Sequence, residues 1–204
     1  MRSKFNFHLV FLCVGGFMVC ARAQGFLPPI SPSTSTVAEA APTGPLLIGD
    51  PVPKQCIVLD ADGKKRPLLS YKAYLDILVV VFFSPSCQQK DSEWARFRRL
   101  DERFKDWRVA FVAVNVSGPE TFNELATTLR KQKVTWHVAQ DDQRAAASLF
   151  NLTGTPEVLI IDESGFLRYR GPIAAVPDAL NTVISHTDSI KVPEPVMDKA
   201  CPLL

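Results

Sequence analysis

The chain has 204 residues, 47% hydrophobic and 22% charged, which suits one globular domain of roughly 150 residues with flanking segments. Its formal net charge of +2 comes from the N-terminus: Arg2, Lys4 and Arg22 precede residue 24 and no acidic residue does, and setting those three aside leaves 20 basic against 21 acidic residues. A near-neutral domain lacks the positive surface that nucleic acid requires, so that class of function is excluded.

Residues 1–23 read as a secretory signal peptide. Arg2 and Lys4 form the positive start, Phe5 to Val19 the apolar stretch, and Ala21-Arg22-Ala23 a small-x-small cleavage site before Gln24. The apolar stretch is shorter than the roughly 20 residues that span hydrocarbon. Membrane retention is therefore expected only if the signal stays uncleaved. A lipoprotein reading would use Cys20, but Val19 is bulky for it. Residues 24–45, rich in Pro, Ser, Thr and Ala, bury too little surface to order themselves and read as a flexible linker.

The domain is expected over residues 46–190. Lys54 to Leu59 suits a short strand, with Asp60-Ala61-Asp62-Gly63 as a hairpin turn. Ile77 to Phe83, ILVVVFF, predicts a strand buried on both faces. It stops at Ser84-Pro85-Ser86, and a helix is expected from about Cys87. Trp94, Phe97, Leu100, Phe104 and Trp107 form its apolar stripe at helical spacing, opposite a solvated face of Arg96, Arg98, Arg99, Glu102 and Lys105. Arg108 to Val116 predicts the next buried strand, Pro119 to Lys131 a helix, and Val134 to Ala139 a strand. Gln143 to Phe150 reads as a short helix, Glu157 to Asp162 and Phe166 to Arg170 as a strand pair, and Pro177 to His186 as the last helix. Residues 191–204 form a tail without strong periodicity. The alternation predicts an α/β fold, with early parallel strands and helices on both faces.

Cleavage would remove Cys13 and Cys20 and leave Cys56, Cys87 and Cys201. None has the close spacing of a zinc site, so no metal and no cofactor is expected. Cys87 follows a core strand at a helix N-terminus, where free N–H groups and the helix dipole favour a thiolate. Such a junction at the carboxyl edge of a parallel sheet is where α/β proteins place their sites. Lys90 would add positive potential or is simply a surface lysine. Ser84 and Ser86 are candidate helix caps, and Ser84 also a hydrogen-bond donor to the sulfur. Gly154-Thr155-Pro156 precedes a strand, where proline is tolerated and a cis peptide is expected.

Other candidates read as structural. Cys56 is expected to be buried, and His137 to be a satisfied core histidine rather than a base. His186 ends a helix, where a cation is favoured. Asp141-Asp142 reads as a helix cap. Asn151-Leu152-Thr153 and Asn115-Val116-Ser117 match the glycosylation pattern, with Asn115 at the end of a buried strand.

These segments in this order resemble the thioredoxin-like superfamily, and within it the redoxin branch of alkyl hydroperoxide reductase and thiol-specific antioxidant proteins, of the exported bacterial type. The resemblance covers Leu46 to Leu204. Ile48-Gly49-Asp50-Pro51-Val52-Pro53, Phe82-Phe83-Ser84-Pro85-Ser86-Cys87, Thr153-Gly154-Thr155-Pro156-Glu157, Asp162-Glu163-Ser164-Gly165 and Lys199-Ala200-Cys201-Pro202-Leu203 carry it. It implies a thioredoxin fold: a central mixed β-sheet flanked by helices on both faces. It also implies a cis Pro156 beside Cys87, with the Thr155 backbone pairing an extended substrate. Two departures stand out: Lys90 occupies the place of the second cysteine in Cys-x-x-Cys, and Val80 the place of the proline that peroxiredoxins carry.

The expected function is an exported thiol-dependent oxidoreductase, secreted across the inner membrane into the periplasm, acting on a protein disulfide or a peroxide with an external thiol reductant. Cys87 would attack, Cys201, Cys56 or an external thiol would resolve, Ser84 would assist, and Thr155 with Pro156 would bind substrate. Cys201 is otherwise a spare thiol. A Cys87–Cys201 bond would close a loop of over 100 residues, stabilising the fold by ~4–5 kcal/mol in the chain-entropy model. The rival reading is a binding or structural module of the same fold without turnover.

Overall fold

The computed structural model of the chain describes residues 44–85, 87, 91–118, 121–185 and 201–202. All of them fall within one compact unit, Ala40–Leu204. The expected signal peptide and most of the linker, together with Ser86, Lys90, His186 and residues 191–200, lie outside the described residues.

The fold is built around β3 (Ile77–Phe83), whose seven residues are all buried. Its β-branched and aromatic side chains alternate between two apolar cores. Ile77, Val79, Val81 and Phe83 face one, and Leu78, Val80 and Phe82 the other. A strand covered on both faces has no polar side to show, which is why the sequence there is a continuous apolar run.

On one side β3 pairs in parallel with β4 (Val109–Asn115), which pairs in parallel with β5 (His137–Gln140). On the other side it pairs antiparallel with β7 (Glu157–Ile161), which forms a hairpin with β8 (Leu167–Gly171). β1 (Ile57–Asp60) and β2 (Lys65–Pro67) form a hairpin that joins β5 through β1. The seven-stranded mixed sheet therefore runs β2-β1-β5-β4-β3-β7-β8. Gly63 closes the first hairpin, donating its N–H to Asp60 O at 2.9 Å with φ +76°, a conformation that favours glycine.

Among the described residues four α-helices cover the sheet: α1 (Asp91–Phe104), α2 (Phe122–Lys131), α3 (Ala145–Leu149) and α4 (Val176–Ile184). Buried residues of α1, α2 and α4 share one core, and Ala146 and Ala147 of α3 the other. The chain therefore has the expected α/β thioredoxin architecture, with helices on both faces. Among the described residues no helix is long and apolar enough to cross a membrane.

The buried stripe of α1 is Trp94, Phe97, Leu100 and Phe104. Trp94 and Phe97 pack on Phe83 with ring centroids 5.8 and 5.0 Å apart, and Phe97 meets Trp136 edge-on at 5.5 Å. Such pairs add about 0.5–1.5 kcal/mol each beyond area burial. Trp107, expected to continue the stripe, is 52% exposed. The helix ends at Phe104 and the chain turns into β4, so the helical phase is lost before Trp107.

Three other expectations shift. Cys56 is buried, as expected, but it precedes β1 rather than lying within the strand. β5 starts at His137 instead of Val134, because Val134 N–H still bonds to Leu129 O at 2.9 Å as α2 closes. His137 is consequently exposed at the strand's first residue, not held mid-strand in the core; its ring meets Tyr71 with centroids 6.1 Å apart. The tail, read as lacking regular structure, contributes β9 (Cys201–Pro202), which pairs with β6 (Gly154–Thr155).

Candidate active site

Cys87 lies beyond the carboxyl end of β3, an interior strand of the sheet between β4 and β7. It occupies a bend, with its N–H bonded to Ser84 O at 3.0 Å. The described part of α1 begins at Asp91, and residues 88–90 between them lie outside the described set. Cys87 is buried, and its sulfur is in a disulfide; Cys56 is a free thiol.

Thr155 reaches the sulfur from across the fold. Its Oγ1 donates to Cys87 Sγ at 3.4 Å, and the following Thr155–Pro156 peptide is cis, as expected. Chain topology makes this meeting possible. Thr155 enters β7, whose first residue Glu157 is registered against Phe82 of β3, so the loop before β7 arrives beside the loop after β3. Next to Cys87 opens a cavity of about 280 Å³, lined by Phe83, Ser84, Pro85, Trp94, Leu125 and Thr128. Its walls are mostly apolar, with the hydroxyls of Ser84 and Thr128 as the polar part of the lining.

Ser84 is buried, and its Oγ lies 2.7 Å from that of Ser117. The expected donation from Ser84 to the sulfur thus has a counterpart in Thr155, which sequence reasoning assigned only to substrate. Ser117 belongs to a polar tie that the sequence did not reveal. Asn115 donates to Gln140 Oε1 and to Thr121 Oγ1, each at 2.7 Å, and accepts from Ser117 N–H at 3.1 Å. Gln140 in turn donates to Asn115 O and Asp141 O. These bonds fasten the loops after β3, β4 and β5 together at the edge where Cys87 sits. Asn115 is fully buried, which removes it as a glycosylation acceptor, whereas Asn151 is exposed. The only sequence signal for the tie was an asparagine ending an otherwise apolar strand.

Several buried groups titrate away from their usual ranges. Burial, then the nearby Asp141 charge, pushes the Cys56 thiol up to about 12. Burial raises Asp141 although it accepts the N–H groups of Ala146 and Ala147, both at 2.8 Å, capping α3 as expected. Burial likewise raises Glu157, against the opposing pull of Arg170, its ion-pair partner. Glu157 Oε2 has no hydrogen-bond partner among the described residues.

Residues 48–170 match the AhpC/TSA family. The chain belongs to this family. Among curated proteins, none matches the sequence significantly. As an AhpC/TSA protein it shares its fold with solved structures. One is the thioredoxin domain of a thiol-disulfide oxidoreductase from Bacteroides vulgatus, with TM-score 0.55 and 19% identity, over 69% of this chain and 98% of that one. Another is described as a thiol:disulfide interchange protein DsbE, from Chlorobium tepidum, with TM-score 0.55 and 19% identity over 68% and 99%. A hypothetical protein from Sinorhizobium meliloti matches with TM-score 0.55 and 17% identity over 78% and 92%.

A larger cavity, about 560 Å³, lies at the other pole of the sheet, between Ile77 and Val109 at the strand starts. Two ion pairs line it: Arg108 with Asp76 at 2.7 Å and Arg168 with Asp162 at 2.6 Å. No cysteine lines it. Size alone therefore does not select it over the smaller cavity at Cys87.

Proposed function

We propose that this AhpC/TSA protein is an exported thiol-dependent oxidoreductase acting by thiol–disulfide exchange, with Cys87 as nucleophile and Cys201 as resolving thiol. The observation that carries this reading is the setting of Cys87: a disulfide-bonded sulfur at the carboxyl edge of the central parallel strand, with the Thr155 hydroxyl upon it. The same hydroxyl would donate more strongly to a thiolate than to a disulfide sulfur, since charge strengthens the bond. That favours Cys87 as attacking and leaving group.

Cys201 is supported as the partner by backbone register. Thr155 stands opposite Cys201 in the β6–β9 pair, and Thr155 is the residue that touches the Cys87 sulfur. Ser84 holds the Cys87 N–H through its carbonyl and is assigned a positioning role. Thr155 and Pro156 form one wall of the substrate site. Export rests on the Arg2/Lys4 start, the apolar stretch and the Ala21-Arg22-Ala23 site. The DsbE description of a structural relative agrees with a periplasmic setting.

The cycle balances as follows. The Cys87 thiolate attacks one sulfur of a substrate disulfide, forming a mixed disulfide and releasing the other sulfur as a thiolate. The Cys201 thiolate then attacks Cys87, freeing the second substrate thiolate and leaving a Cys87–Cys201 disulfide. The substrate gains two electrons and the protein loses two. An external dithiol returns them.

The test gives the purified protein a dithiol and either a polypeptide disulfide, such as insulin, or hydrogen peroxide. Catalytic insulin reduction, with Cys87 and Cys201 joined in non-reducing peptide maps, is the expected result. Turnover of peroxide alone would transfer the assignment to peroxide reduction. No turnover of either would favour the binding-module reading.

A further inference from the structure

Gly154–Thr155 pairs with no strand of the seven-stranded sheet; among the described residues its one strand partner is Cys201–Pro202. The pairing is antiparallel, with Thr155 opposite Cys201 and Gly154 opposite Pro202. Main-chain pairing of this kind is how an extended polypeptide adds to a free strand edge, by backbone hydrogen bonds that any sequence can supply. Pro202 has no N–H, so it offers only its carbonyl and ends the ladder just past the cysteine. The strand is two residues long and begins at Cys201, opposite Thr155, whose hydroxyl touches the Cys87 sulfur.

We infer that the Cys201–Pro202 segment is a tethered substrate mimic: in the oxidised protein it occupies the backbone edge of Thr155, closing the site to polypeptides, and reduction frees that edge for an extended, cysteine-bearing chain. The inference rests on the proposed exchange chemistry at Cys87. The edge in contention is the Thr155 backbone, where the family resemblance already implies an extended substrate, and the register places that substrate's cysteine opposite Thr155. The inference makes the resolving thiol a gate, because the same strand that completes the exchange blocks the next substrate until an external dithiol acts.

The physical argument concerns competition. A strand on the same chain competes at an effective concentration in the millimolar range or above, and the disulfide raises this further. Two paired residues alone supply little affinity, since the small net gain of each backbone bond is offset by the entropy of ordering. Breaking the disulfide therefore removes most of what holds β9, and a substrate joined covalently to Cys87 then competes on equal terms.

Two measurements decide the matter. The first is amide exchange of the Gly154–Thr155 segment in oxidised full-length protein, in reduced protein and in the Cys201→Ser variant. The expected result is exchange at least ten times faster in the latter two; equal rates in all three would overturn the gate. The second follows the rate at which Cys87 of the Cys201→Ser protein is captured by a peptide VMDKACPLL, its cysteine activated as a thionitrobenzoate disulfide, against a scrambled peptide of the same composition. Capture at least ten times faster by the native order is expected, and equal capture would overturn the mimic. Failure of Cys87 to react with either peptide and with a small-molecule disulfide would defeat the exchange chemistry itself. The amide exchange would still report on whether the tail gates the edge.

Discussion

Cys56 and Cys87 are almost equally hidden, 5% and 7% exposed, yet they sit in opposite chemical settings. Cys56 lies in an apolar core with Val58, Leu68 and Phe150, as a free thiol that burial holds protonated up to about 12. Cys87 ends a bend at the carboxyl edge of β3, takes a hydroxyl donor from a distant loop and is joined in a disulfide. Solvent exposure does not separate the free thiol of Cys56 from the disulfide-bonded sulfur of Cys87. Backbone position and the identity of the neighbouring donors do.

The sharpest way to break the comparison is to remove each sulfur in turn. Cys87→Ser should lower the proposed disulfide-exchange activity on the order of 10³-fold, because the proposed nucleophile is gone. Cys56→Ala should leave that activity within a factor of two. Turnover measured with a polypeptide disulfide checks both.

The next effect concerns what holds Thr155–Pro156 beside Cys87. Arg170 pairs with Glu157, the first residue of β7, and donates to Asn151 O at 2.9 Å. Arg170→Met would strand a buried carboxylate and should cost about 3 kcal/mol in denaturant unfolding. Burial raises the Glu157 pKa, so the folded state binds this proton before the unfolded state does. The deficit should therefore shrink as pH falls toward 4.5 and be full near neutrality.

The Cys56 side of the comparison has its own pH signature. Its thiol is raised from 9.0 to about 12, so the unfolded chain loses this proton first. The stability that the group contributes is complete below pH 9 and is lost as pH climbs toward 12. Cys56→Ala should cost about 1 kcal/mol near neutrality. It should also flatten the alkaline loss of stability by at most about 1.4 kcal/mol per pH unit relative to the parent, seen in unfolding curves across that window.

The smallest expected effect tests the hydroxyl. Thr155→Val keeps the shape and removes the donor to the Cys87 sulfur. A loss of about 1 kcal/mol, or roughly fivefold in the rate of Cys87 alkylation after reduction, is expected. An unchanged rate would leave the Cys87 setting with backbone position alone to distinguish it.

Much of the fold was legible because each element carries its own burial pattern. The run ILVVVFF could only be a strand covered on both faces, and Trp94, Phe97, Leu100 and Phe104 fall on one helical stripe. Trp107 and His137 were misread for a shared reason. Periodicity says which face of an element is apolar but not where the element stops, and both residues lie at an end, where the chain changes direction. The polar tie of Ser117, Asn115 and Gln140 was hidden because its members come from separate strands and match no spacing rule.

The sequence by itself determined the fold class and the placing of Cys87 at a strand-to-helix junction, since both depend on local patterns of apolar residues and breakers. It also marked Thr155–Pro156 through the order of segments. Only the tertiary structure decided what meets the sulfur. The antiparallel pairing of β7 with β3 carries the Thr155 hydroxyl to Cys87, and the pairing of two residues near the C-terminus with Gly154–Thr155 brings Cys201 alongside. Both are contacts between residues far apart in the chain, made by backbone geometry and a single hydroxyl, and neither leaves a periodic trace in the sequence.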